Sequence, residues 1–154
     1  MFGWLKAKVG GLFFNTEAGR SYMRRDVEAV LRNVVNLPAN VQRSIAHRVF
    51  DEILVAITEI EKMQRPSDAL DEKIREQLEH ATANRHQAIM DGASDAADPN
   101  WAAAALVESW LMANTGKAGR GTFEAIDGLI MGWIRATLTT AEIEARIKAA
   151  EQRT

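Results

Sequence analysis

Ser44, His47 and Asp51 are the residue types of a hydrolase triad, and they fall within eight positions of one another. Their spacing removes the chemistry. All three lie on one predicted helix, where side chains splay outward, and no neighbouring stretch offers the strained nucleophile turn or oxyanion donors that acyl transfer needs. The simpler expectation is that His47 and Asp51, four apart, form an exposed ion pair.

A second group, Glu72, Glu76, Glu79, His80 and His86, shares an arc of another predicted helix. Glu76 and His80 at i, i+4 supply two ligands to a cation, but the Glu-x-x-His spacing of carboxylate-bridged bundles is missing. A solvated charged face accounts for the arc. No metal site, no catalytic set and no cofactor is assigned.

The third is the glycine-rich stretch Asn114 to Thr122, with Gly116, Lys117, Gly119, Arg120 and Gly121 just ahead of a predicted helix that Thr122 would cap. Free N–H groups and two cations there form a candidate anion site, a phosphate being the natural ligand. It is not a P-loop: no strand precedes it, and Ala118 stands where the Mg²⁺-binding hydroxyl belongs.

The fourth is Met1 to Phe14. Phe2, Leu5, Val9, Leu12 and Phe13 make an apolar stripe, Lys6 and Lys8 flank it, and Trp4 and Phe14 fall on the far side. Four of the chain's ten aromatic residues stand in these fourteen positions. Either the segment caps its own bundle, or it is an arm that docks on a partner or on an anionic membrane surface.

The elements that must position these groups are all helical. Val41 to Met63 carries Val41, Ile45, Val49, Ile53, Ala56, Ile57, Ile60 and Met63 on one face at the 3.6-residue period, with Phe50 and Leu54 widening it. Before it, Thr16 opens a helix running to about Val35, with Asn36, Leu37 and Pro38 ending it; Pro38 at the first helical position or Asn40 as a cap then starts the central helix. Beyond Pro66 and Ser67, Leu70, Ile74, Leu78, Ala81, Ala88 and Ile89 face inward, with Arg85 on the same apolar side.

Asp98 and Pro99 signal the start of Trp101 to Ala113, whose only polar positions are Glu108 and Ser109. A helix apolar nearly all round must be enclosed by its own bundle or by a partner subunit. Arg85 is therefore expected to pair with Glu108 or to snorkel to solvent. Phe123, Ile126, Leu129, Ile130, Trp133 and Ile134 form the next stripe. In the same helix Gly128 and Gly132, with Ala125 and Ala136, make a strip of small side chains, and a close helix crossing, inside the bundle or less readily at a dimer seam, is the expected reason for two helix-interior glycines. Thr139 and Glu142 have capping-box spacing, opening a last helix with Ile143, Ile147 and Ala150 inward.

The fold class is all-α: a single compact bundle of six to seven helices spanning residues 1–154. With 154 residues, 47% hydrophobic and 26% charged, the chain can bury its own core. It has no Cys, which agrees with a reducing compartment and excludes disulfides. A spanning helix needs about 20 mostly apolar residues, and the longest charge-free run, Asn33 to Gln42, is far shorter, so a cytoplasmic protein is expected.

Residues 1 to 48 hold eight Lys or Arg against three Asp or Glu, so a chain of net charge −2 carries its negative excess further along. That polarity favours head-to-tail contacts or an anionic surface, whereas the overall acidity and lack of a basic run argue against nucleic acid. The function expected first is a non-enzymatic helical interaction or adaptor protein with a protein partner or a second copy. Binding of a small molecule or phosphate through Gly116 to Thr122, and membrane association through residues 1–14, are the alternatives.

Overall fold

The computed structural model describes residues 17–62, 68–93, 97–113 and 120–153. Among them are six α-helices and no strand: α1 (Glu17–Val35), α2 (Ala39–Glu61), α3 (Asp68–Met90), α4 (Pro99–Met112), α5 (Arg120–Thr137) and α6 (Thr140–Gln152). None is long and apolar enough to cross a membrane.

α4 is the axis of the bundle. Every residue from Ala102 to Ala113 is buried, and the helix packs against α1, α2, α3 and α5 of its own chain. The four consecutive alanines, Ala102 to Ala105, are small enough for neighbours to approach from all sides, while Leu106, Trp110 and Leu111 fill the volume beyond them. Its start is firmly set: the Asp98 carboxylate accepts from the backbone N–H groups of Asn100 (2.8 Å) and Trp101 (3.3 Å), with Pro99 at the first position.

α2 supplies the next layer. Ile45, Ala46, Val49, Phe50, Ile53 and Ala56 are buried, as its periodicity requires, and Val41, Ile57 and Ile60 pack against the same core. Pro38 stands at the cap position rather than the first helical position, making no side-chain bond, and Asn40 lies inside the helix. The orphan carbonyls at the end of α1 are met instead by Gln42, whose amide donates to Val35 O (3.0 Å) and Leu37 O (2.7 Å).

α3 ends in a Schellman turn. Gly92 has φ +100°, Ala93 N–H donates to Ala88 O (2.9 Å), and buried Ala93 closes the turn. Ile74, Leu78, Ala81 and Ala88 face the core as expected, but Ile89 is 45% exposed, because the apolar arc of α3 is narrower than the sequence stripe and rotates past the last turn.

α5 buries Ile126, Ile130, Trp133 and Ile134. It begins at Arg120, so Arg120, Gly121 and Thr122 are already its first turn and Thr122 is not the cap. The glycines also depart from expectation. Gly128 and Gly132 are exposed, and a Cβ at either would meet nothing within 4 Å, so among the described residues no helix of this chain crosses there. The physical reason is that the buried stripe of α5 lies on the opposite arc, and the small-residue strip faces outward.

Candidate functional site

α6 is the outermost element. None of its residues is buried, and it packs chiefly on α2. Its first turn is fixed by the predicted capping box: Glu142 N–H donates to Thr139 Oγ1 (3.3 Å) and Thr139 N–H donates to Glu142 Oε2 (2.7 Å). The other carboxylate oxygen of Glu142 receives the Arg43 guanidinium, which also donates to Thr137 O (3.2 Å). One turn on, Arg146 pairs with Asp51.

His47 sits between these two ion pairs. Its side chain is 24% exposed, and its nearest carboxylate oxygen is Glu142 Oε1 at 3.9 Å. Asp51 is therefore not its ion-pair partner, as the i, i+4 spacing suggested, because the Arg146 guanidinium reaches that carboxylate from α6. Burial, then the charges of Arg146 and Arg43, push the His47 imidazole below its ordinary value, opposed by Asp51. Ser44 is exposed, and no hydrolase triad forms with it.

Beyond Arg146 the two helices leave an open cleft of about 170 Å³. Leu54, Val55 and Ala150 supply its apolar surface, Thr58 lies among them, and Asp51, Glu59, Lys62, Arg146 and Arg153 complete its lining. Val55 is 54% exposed, a large β-branched side chain presented to solvent in the middle of an otherwise amphipathic helix. Thr58 spends its hydroxyl on Leu54 O (2.8 Å), which leaves its methyl to the cleft.

The ionised rim is organised in advance. Glu59 accepts from Lys62 (2.9 Å) and lies 3.7 Å from Lys73 of α3, and the bond and charge of Lys62 hold its carboxyl below the usual carboxylate range. Lys73 is shared with Glu76 (3.0 Å), so one of the two ligand candidates on α3 is already occupied by a cation. His80 is exposed, and no group of three or more His, Asp and Glu suited to a metal occurs among the described residues. The cleft presents apolar surface between restrained charges, three cations to two carboxylates.

Of the candidate anion-site residues, Gly116, Lys117 and Gly119 lie outside the described residues, and Arg120, Gly121 and Thr122 form the first helical turn of α5. The docking candidates Phe2, Trp4, Leu5, Lys6, Lys8, Val9, Leu12 and Phe13 also lie outside them. Sequence reasoning missed the cleft because its walls are joined by Arg43–Glu142 and Asp51–Arg146, partners 99 and 95 residues apart. The usable signal was the matching order of charge, Arg43 then Asp51 on α2 against Glu142 then Arg146 on α6.

No family model, curated protein or solved structure matches the chain.

Proposed function

We propose that this chain is a non-enzymatic helical interaction protein that receives a short apolar, acid-flanked segment of a protein partner in the cleft between α2 and α6. The observation that carries this reading is Val55, more than half exposed beside Leu54 and Ala150, under a rim with an excess of cations. A cleft of this size takes one or two side chains, the scale of an anchor contact. With Lys62 paired to Glu59 and Arg146 to Asp51, the net positive rim that Arg153 leaves favours a carboxylate flanking the anchor, which speeds encounter and sets register more than it adds affinity.

A synthetic helix of leucine and alanine flanked by glutamates tests it. Titrated into the labelled full chain, it should shift the NMR signals of Val55, Thr58 and Ala150, and Val55→Glu should abolish the shift while Ile89→Glu leaves it intact. Equal binding by both variants, equal binding of a lysine-flanked peptide, or no binding of the glutamate-flanked one would each overturn the reading.

A second reading rests on the aromatic concentration in Met1 to Phe14. That segment would dock on a second copy or, with Lys6 and Lys8 at headgroup level, on an anionic membrane surface, reversibly and in a salt-sensitive way. Deleting residues 1–14 should leave stability unchanged while lowering self-association in light scattering or binding to phosphatidylserine vesicles. A large loss of stability instead would make the segment a cap on its own core.

A further inference from the structure

The means by which α6 is attached differ in kind from those holding the other helices. α4 is buried along its whole length after the first turn, and α2 and α5 each bury a full stripe. α6 buries no residue completely; Ile143 is the side chain it packs against the core. Ile147, expected inward, is 39% exposed, because α6 packs chiefly along α2 and offers it a narrow arc.

Its attachment is otherwise polar. Arg43 bridges Thr137 O and Glu142, Arg146 pairs with Asp51, and Glu142 serves both the ion pair and the capping box. All four charged side chains of these pairs are partly open to solvent. The joint is equally distinct. Leu138 is buried and its N–H still bonds to Ile134 O (2.8 Å), whereas Thr139, immediately after it, is exposed and extended. The buried, helically bonded chain of α5 thus ends at Leu138, and Thr139 belongs to the capping box of α6.

We infer that α6 is a detachable strap: it swings off α2 about Thr139 as one unit while α1 to α5 stay folded, and the Arg43–Glu142 and Asp51–Arg146 pairs set how often it does so. Opening sacrifices the contacts of Ile143 with the core and two part-exposed ion pairs, while the packing of α1, α2, α3 and α5 on α4 stays in place. Elements with few buried apolar contacts open at a small fraction of the global free energy. The open state loses the α6 wall of the cleft, so strap position governs whether that surface exists. The inference stands on the attachment of α6 alone and does not depend on what the cleft binds.

Hydrogen exchange on the full chain, read by mass spectrometry under native conditions, tests it. Amides of residues 144–152 should exchange together and far faster than those of α4. Glu142→Gln keeps an acceptor for the capping box while removing the charge that faces Arg43. That substitution, Asp51→Asn and added salt should each lower α6 protection roughly threefold, the scale of a part-exposed pair. Protection of α4 should not move. The strap is excluded if α6 is as protected as α4, if α6 and α4 respond in parallel, or if α6 protection is indifferent to both substitutions and to salt.

Discussion

Arg85 of α3 pairs with Glu108 of α4, its Nη2 lying 3.3 Å from Oε1, across a seam where Glu108 is only 4% exposed. Burial pushes the Glu108 carboxyl above its ordinary range, and Arg85 pulls it back. The pair joins the most enclosed helix of the bundle to a neighbour whose apolar arc Arg85 interrupts. Arg85→Met should cost about 3 kcal/mol by leaving a buried carboxylate without a counter-ion. Glu108→Leu should cost less, since Arg85 reaches toward solvent. The double variant should lie closer to wild type than the sum of the two, and a urea double-mutant cycle with no coupling would remove the pair as a structural contact.

The pH dependence of Arg85→Met carries its own sign. With the guanidinium gone, the folded Glu108 pKa rises further above its unfolded value, so the folded state holds the proton more tightly. The variant should therefore regain stability as pH falls through the folded Glu108 value, relative to wild type at the same pH. Parallel curves for the two proteins would contradict this.

His47 runs in the opposite direction. Its folded pKa is depressed below 6.5, so the unfolded chain binds the proton first and protonation favours unfolding. Its contribution is constant above 6.5 and declines as pH falls from there through the folded value. His47→Gln should flatten the stability curve between 6.5 and the lower folded value, and a wild-type slope retained by the variant would place the titration elsewhere.

Glycines separate by conformation. Gly128→Ala and Gly132→Ala should each stabilise by about 1 kcal/mol, because a helix-interior glycine gains from Ala and a Cβ there meets open space. Gly92→Ala should destabilise by about the same amount despite equal room, since φ +100° is hostile to a Cβ. Thermal melts of the three variants decide it, and a loss of stability at Gly128 or Gly132 would mean that something covers that strip.

Asp98→Ala removes the acceptor for two N–H groups at the start of α4 and should cost about 1 kcal/mol, with Asp98→Asn recovering most of it. A neutral Asp98→Ala would show that solvent serves those donors equally well.

The helical class, the end of α1 at Val35, the start of α4 at Asp98 and Pro99, and the capping box of Thr139 and Glu142 were legible in the sequence, because periodicity and caps are local properties of the chain. The burial of α4 followed from its composition, and the Arg85–Glu108 pair from one charge on each of two apolar faces. What covers α4 was not legible: composition states only that it must be enclosed, and the docking of α1, α2, α3 and α5 around it decides that its own chain does so. The same holds where expectation failed. Gly128 and Gly132 invite a crossing by type, but the arc of α5 that carries them faces solvent. His47 and Asp51 invite a pair by spacing, but Arg146 competes from another helix. A helix pattern fixes angles about its own axis, whereas the cleft, the strap and the His47 environment depend on how two axes lie together, and only tertiary packing sets that.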